Sequence, residues 1–174
     1  MKKTIIGFAA MTAVVWVALI FAQEFEYVGV DKCRICHTSE ARGAQYPKWE
    51  QRKHSQSYEV LTRDIAQPIA GELGVENPAE SPKCMKCHAP LWDESIEFRK
   101  EGVSCEVCHG PGSEYKSLSI MKDHEKAVEN GLIEYKTEED IKKKCLTCHE
   151  NPHGIPFDFK SSWELVKHYR PDKK

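Results

Sequence analysis

The stretch that decides the fold is Gly102-Val103-Ser104-Cys105-Glu106-Val107-Cys108-His109-Gly110-Pro111-Gly112. Its Cys-x-x-Cys-His core recurs at positions 33–37, 84–88 and 145–149, and the four copies use all eight cysteines of the 174-residue chain. Two thiols three positions apart can add to the two vinyl groups of one haem, and the adjacent histidine places an imidazole nitrogen on the iron. The pattern therefore predicts four covalently attached haems c.

The predicted haem attachments are thioethers, and each motif also supplies one proximal iron ligand. The attachment positions are Cys33, Cys36, Cys84, Cys87, Cys105, Cys108, Cys145 and Cys148, and the proximal ligands are His37, His88, His109 and His149. Paired cysteines also bind zinc or form disulfides. Neither alternative explains a histidine directly after the second cysteine in every copy, and bridges between such close cysteines would constrain little of the chain.

The amino terminus resembles a secretory signal. Lys2 and Lys3 precede an uncharged apolar run from position 5 to 21, and Ala22 follows at a plausible cleavage site. We expect residues 1–22 to be the signal peptide and residues 23–174 to be one tetrahaem cytochrome c domain. The run is also long enough to be kept as an uncleaved membrane anchor. Haem c is attached outside the bacterial cytoplasm, so the signal predicts a periplasmic or otherwise exported protein.

Charge points to protein partners. Without residues 1–22 the chain has 23 basic and 27 acidic side chains, which is a net charge of -4. Exposed haem propionates would add negative charge. This balance argues against nucleic acid and favours redox partners with a basic docking face. We expect a donor dehydrogenase, oxidoreductase or quinol-linked complex, and a downstream acceptor.

The predicted fold class is mainly α: a small multihaem cytochrome c fold with short helices and long loops wrapped around four haems, and little or no sheet. Pro47 suits the first turn of a helix that runs past His54 to about Leu61. Segment 64–83 contains three prolines and two glycines and is predicted to be irregular. A helix over about 120–130 would carry His124.

Two further capping patterns were found towards the carboxyl terminus. Thr137 with Asp140 predicts the start of the helix that leads into Cys145. Ser161 with Glu164 has capping-box spacing and predicts a last helix carrying His168. Three predicted helices thus each carry a histidine outside the motifs.

The histidine count matches the iron count. Four of the eight histidines lie in the motifs and four lie outside them: His54, His124, His153 and His168. Four irons with one proximal ligand each need four distal ligands, so we predict that these four are the distal set. Met121 is the one credible substitute among the methionines.

Coordination decides the function. An iron with two imidazoles is closed to small ligands and suits electron transfer, whereas an iron without its sixth ligand can bind substrate. We therefore predict an electron-transfer protein with no catalytic residues, not an enzyme. The alternatives are a haem enzyme that reduces nitric oxide, nitrite or a related oxide at one open iron, and a subunit of a cytochrome filament.

Three local patterns resemble the cytochrome c-554 family of tetrahaem cytochromes. They are Trp49 followed by His54-Ser55-Gln56-Ser57-Tyr58, the run from Gly102 to Gly112, and a late His168-Tyr169. The resemblance implies a mainly helical single domain with haems in closely stacked pairs. It also matches His54, His124 and His168 to the family's distal ligand positions.

The resemblance also implies one difference. In the best-known member of the family the haem of the second motif is five-coordinate, and His153 has no clear counterpart there. We hypothesise that His153 closes that iron, or a neighbouring one, in this chain.

Overall fold

The computed structural model describes residues 24–150 and 153–168, and the predicted signal lies outside these residues. All regular structure in the described ranges is helical, with no strand, which confirms the predicted mainly α fold class. None of the described helices is long and apolar enough to cross a membrane.

Ten α-helices occur within the described residues, and most have two turns or fewer. They are α1 (Val30–His37), α2 (Gln45–Glu50), α3 (Ser57–Leu61), α4 (Gln67–Glu72), α5 (Pro82–His88), α6 (Cys105–His109), α7 (Leu118–Met121), α8 (His124–Glu129), α9 (Glu138–His149) and α10 (Phe159–Val166). Short 3₁₀ turns lie at Glu40–Arg42, Asp64–Ala66, Pro78–Glu80 and Phe98–Glu101.

The four haem motifs share one local structure. Each forms the end of a helix, and α1, α5, α6 and α9 all stop at the motif histidine. Residues three and four apart are neighbours on a helix surface. The two cysteines and the histidine of each motif therefore lie on one face, where a single haem can meet all three.

The segment around His54 is not the predicted continuous helix. α2 ends at Glu50 and α3 begins at Ser57, so His54 lies in the turn between them. The Ser55 hydroxyl donates to the Glu50 carbonyl at 2.9 Å and to the Arg52 carbonyl at 2.8 Å. Such bonds from a serine to nearby carbonyls compete with helical bonding, which explains the break.

The predicted helix over 120–130 is also divided. α7 ends at Met121, and the Asp123 carboxylate accepts a bond from the Lys126 N–H at 3.2 Å. This N-cap starts a new helix, α8, whose first residue is His124. The predicted capping box of Thr137 and Asp140 is confirmed at the start of α9.

Two other expectations need correction. α10 begins before Ser161, because Asp158 is its N-cap and accepts from the Ser161 N–H at 2.9 Å. The helix ends at Val166, so His168 follows the helix rather than lying on it. Segment 64–83 is not wholly irregular, since Pro68 falls in the first turn of α4, where proline is tolerated.

The buried core of the described residues is small. The main apolar cluster contains Leu61, Ala79 and Met85, with Tyr58 and Trp92 packed against it. Several isoleucines are well exposed, among them Ile35 in the first motif, at 77%. A chain of this size normally buries more apolar surface. Apolar side chains therefore fill only part of the interior.

Candidate functional site

Three pairs of histidine rings face each other, and each pair joins one motif histidine to one histidine outside the motifs. The ring centroids are 6.1 Å apart for His54 and His149, and 6.0 Å apart for His88 and His153. The ring centroids of His109 and His168 are 5.8 Å apart. The pairs belong to the fourth, second and third motifs, respectively.

This spacing fits a shared iron. A metal–imidazole bond is about 2 Å long and a ring nitrogen lies about 1 Å from the ring centre, so two imidazoles on one iron have centres roughly 6 Å apart. All eight cysteine thiols lie in the described residues and are free of disulfides. The thiols and three of the four predicted histidine pairs are therefore arranged in a way that is compatible with haem c.

Protonation of the paired rings also suits iron binding. Burial lowers the pKa of His109 to about 4, with further lowering by His168 and His37. Burial likewise lowers the pKa of His54, His149 and His168. Neutral imidazole is the form that ligates metals, so these rings reach neutral pH already deprotonated.

Two motif histidines have a partner on the nitrogen that faces away from a bound iron. His88 Nδ1 donates to the Ser57 carbonyl at 2.8 Å, and His37 Nδ1 lies 3.2 Å from the side-chain oxygen of Gln45. A hydrogen bond from Nδ1 fixes the tautomer and leaves Nε2 available to the metal. Gln45 and Ser57 therefore orient two of the predicted proximal ligands, His37 and His88.

The fourth pair is not brought together. His37 makes no ring contact with another histidine among the described residues, and His124 lies elsewhere with its side chain 56% exposed. The His124 Nε2 is 2.8 Å from Glu134 Oε1. The assignment of His124 as a distal ligand therefore remains a prediction.

The motif cysteines approach each other in two groups. The thiols of Cys33 and Cys105 lie close enough for each to shift the pKa of the other, and the Cys148 thiol likewise raises the pKa of Cys87. The first motif thus adjoins the third, and the second adjoins the fourth. This grouping is compatible with the stacked haem pairs that the sequence resemblance implies.

Ser57 connects His54 and His88, which are predicted to bind different irons. Its hydroxyl is 2.7 Å from both the His54 carbonyl and the His88 carbonyl, and the Val103 N–H donates to it at 3.0 Å. Gly102 lies against this group with φ of +64°. The backbone around the second and fourth sites is therefore held by one side chain.

Glu106 is a site residue whose role the sequence analysis missed. Its side chain is 1% exposed and accepts bonds from the N–H groups of Val28 at 3.1 Å, Gly29 at 2.8 Å and Gly112 at 2.7 Å. The carboxylate thereby joins the start of α1 to the third motif. The sequence does contain a feature that indicates this role: a charged residue lies between two haem cysteines and is followed by Gly-Pro-Gly.

Comparisons with known proteins bear on the class of this chain. Residues 32–110 match the family model described as "Cytochrome c554 and c-prime". Cytochrome c-554 of Nitrosomonas europaea is 25% identical over 153 residues, which are 78% of this chain and 63% of the relative's length. The chain thus spans less than two thirds of that relative.

A solved structure extends the comparison to the fold. The reduced state of cytochrome c554 from Nitrosomonas europaea superposes with a TM-score of 0.54 at 22% identity, over 78% of this chain and 71% of that chain. The helical fold and the haem motifs define a multihaem c-type cytochrome. Within that class, the chain is similar to the cytochrome c-554 family, whose model matches residues 32–110. This family binds covalently attached haem c, and the four motifs are consistent with four haems.

Proposed function

We propose that this protein carries single electrons between redox partner proteins outside the cytoplasm, through four haems c with two histidine ligands each. The observation that carries the proposal is the set of three histidine pairs at 5.8 to 6.1 Å. Two imidazoles close an iron to small ligands and favour low potentials, which suits electron transfer. No catalytic residue is required for this role.

The pairs support specific ligand assignments. We assign His88 and His153 to the iron of the second motif, His109 and His168 to the third, and His54 and His149 to the fourth. The cysteines of each motif would hold the macrocycle by thioether bonds. Haem, when bound, supplies the one-electron chemistry. These side chains would fix its position, and the second histidine would keep solvent molecules off the iron.

The first motif needs a separate argument. His37 has its Nδ1 engaged by Gln45, so its Nε2 is oriented for iron, and His124 is the histidine that remains. We propose that His124 is the distal ligand of this iron. Ligation through Nε2 requires this nitrogen to leave Glu134, whereas ligation through Nδ1 keeps the bond between Nε2 and Glu134.

The location and the partners follow from the amino terminus and the chemistry. The apolar segment at 5–21 favours export to the periplasm, where haem c is attached. The donor is a dehydrogenase, an oxidoreductase or a quinol-linked complex, and a downstream acceptor takes the electron. The net negative charge favours partners with basic docking faces.

Electron paramagnetic resonance of the ferric holoprotein, combined with carbon monoxide binding to the reduced form, tests the proposal. We expect low-spin signals for all four haems and no absorbance change with carbon monoxide. A high-spin signal of one haem equivalent with carbon monoxide binding would contradict closed coordination throughout.

One observation favours a second candidate function. If Glu134 holds His124 away from the iron of the first motif in the holoprotein, that iron has an open position where a nitrogen oxide can bind and be reduced. The substitution His124→Ala separates the two functions. In a closed carrier it creates one high-spin haem, whereas in the enzyme it leaves an existing high-spin haem unchanged.

A further inference from the structure

Glu101 is a partly buried carboxylate at the start of the first motif helix. It ends the 3₁₀ turn Phe98–Glu101, and its Oε1 accepts a bond from the Val30 N–H at 3.0 Å. Its Oε2 is buried and has no hydrogen-bond partner among the described residues. A buried carboxylate oxygen without a partner favours the protonated form, because a neutral carboxyl is less costly to bury than an ion.

A second carboxylate lies at the same end of α1 but is fully bonded. Glu106 accepts from three backbone N–H groups, including that of Gly29, which directly precedes α1. These donors stabilise a negative charge on Glu106. Its charge in turn disfavours a second negative charge on Glu101.

The net effect of its surroundings is to raise the pKa of Glu101. Burial raises the pKa of Glu101 to about 7, opposed by the Val30 N–H and reinforced by the charges of Glu106 on α6 and Asp31 on α1. The other titratable groups nearby, the thiols of Cys33 and Cys105, become thioethers when haem is attached. Glu101 is therefore placed to exchange a proton near neutral pH.

Glu101 also lies close to two haem attachment points. Its charge acts on the thiols of both Cys33 and Cys105, which hold the haems of the first and third motifs. Val30, which donates to Glu101, is one helical turn before Cys33. An electron added to either haem would thus act on Glu101 over a short distance through a medium of low dielectric constant.

We propose that Glu101 is a proton-binding site that takes up one proton from solvent when an electron enters the haems attached at Cys33 and Cys105. This inference rests on the proposed electron-carrying function and adds proton coupling to it. The electron comes from a one-electron donor protein, the proton from water, and the carboxylate becomes a neutral carboxyl. Reoxidation by the acceptor reverses both transfers.

The sign of the coupling is fixed by the charges. Reduction lowers the positive charge at the iron, so the affinity of Glu101 for a proton rises in the reduced state. By linkage, the reduction potential then falls as pH rises above the value at which oxidised Glu101 loses its proton. For each tenfold fall in proton concentration, the equilibrium constant for reduction falls up to tenfold. The reduction potential then falls by up to about 59 mV for one electron.

Redox titration of the holoprotein from about pH 6 to about pH 9 tests the proposal. We expect the potentials of two of the four haems to fall with rising pH, and the fall to disappear in Glu101→Gln, which keeps an acceptor for Val30. Glu97→Gln is the matched control, because it removes the same charge from an exposed position at the start of the same turn. That control is expected to keep the pH dependence.

A second measurement does not depend on folding of the variant. Reduced-minus-oxidised infrared difference spectra of the wild-type protein near pH 8 should show a protonated-carboxyl band on reduction. Absence of this band, or an unchanged pH dependence in a correctly folded Glu101→Gln, would overturn the proposal. Neither result would affect the electron-carrying function, which the spin state and carbon monoxide experiment tests separately.

Discussion

His88 and His153 face each other with ring centroids 6.0 Å apart, although one ends α5 and the other follows the fourth motif. The segment after the fourth motif therefore reaches back to the second. His149, in the same region, stacks on Phe157 at 4.6 Å. Residues 153–157 thus contact both the second and the fourth motif.

The first prediction concerns His153. The substitution His153→Ala removes the proposed distal ligand of the second iron, so one haem is expected to become high-spin and to bind carbon monoxide. Electron paramagnetic resonance and absorbance measure both effects. Ile155→Ala is the control, because Ile155 is 70% exposed in the same loop. Unchanged spectra in His153→Ala would show that His153 is not an axial ligand.

The second prediction concerns the competition for His124. The substitution Glu134→Gln weakens the charge-assisted bond to His124 Nε2 and frees this nitrogen for the iron of the first motif. We expect any high-spin fraction in the wild-type protein to decrease in the variant. Glu129→Gln, at the end of the same helix as His124, is the control. A high-spin fraction that increases in Glu134→Gln would mean that Glu134 supports ligation instead.

The third prediction concerns the buried Glu106. In Glu106→Gln one oxygen still accepts from backbone N–H groups, but the NH₂ group that replaces the other oxygen faces backbone donors, and the negative charge that strengthens every bond is lost. The free energy of unfolding is expected to fall by about 3 kcal/mol. Denaturant unfolding of the holoprotein measures this, with the exposed Glu114→Gln as control. A difference between the two variants below about 1 kcal/mol would contradict the bonding described for Glu106.

The fourth prediction concerns stability against pH. The pKa of Glu101 rises from 4.5 to about 7 on folding, so the folded state binds more protons than the unfolded state within this window. The free energy of unfolding must therefore decrease as pH rises through it, by roughly 1 kcal/mol once solvent screening is included. Denaturant midpoints at about pH 5 and about pH 8 measure the decrease. Glu101→Gln should lack this component, and an identical pH dependence in both proteins would refute the assignment.

The fifth prediction concerns Gly102. A Cβ at this position would lie 2.5 Å from the His54 carbonyl oxygen, at a φ of +64°. Gly102→Ala should therefore displace His54 and weaken ligation at the fourth iron, which carbon monoxide binding detects. Gly74→Ala separates backbone strain from collision, because Gly74 has φ of +63° but no atom within 4 Å of the added carbon. Equal effects of the two substitutions would rule out the collision.

The sequence predicted the chemistry of the sites better than their supporting structure. Spacing alone predicted covalently attached haem c, which the comparisons support, because covalent attachment demands a fixed pattern. The break at His54 was missed, since it depends on hydroxyl bonds from Ser55 that compete with the helix. Glu106 was missed as well, because its partners Val28 and Gly112 are distant in sequence from each other and donate only backbone N–H groups.

The shared hydroxyl of Ser57 has a consequence for divergence among relatives. A Cβ on Gly102 would come within 2.6 Å of Ser57 Oγ, so each residue limits what the other position can hold. A lineage that replaces Gly102 must shorten or move the side chain at position 57, which gives up the bonds to the His54 and His88 carbonyls, and must also move the His54 carbonyl oxygen, 2.5 Å from the added carbon. These two positions are therefore expected to covary, and an exchange at one without the other should mark sequences in which the second or fourth haem has been lost.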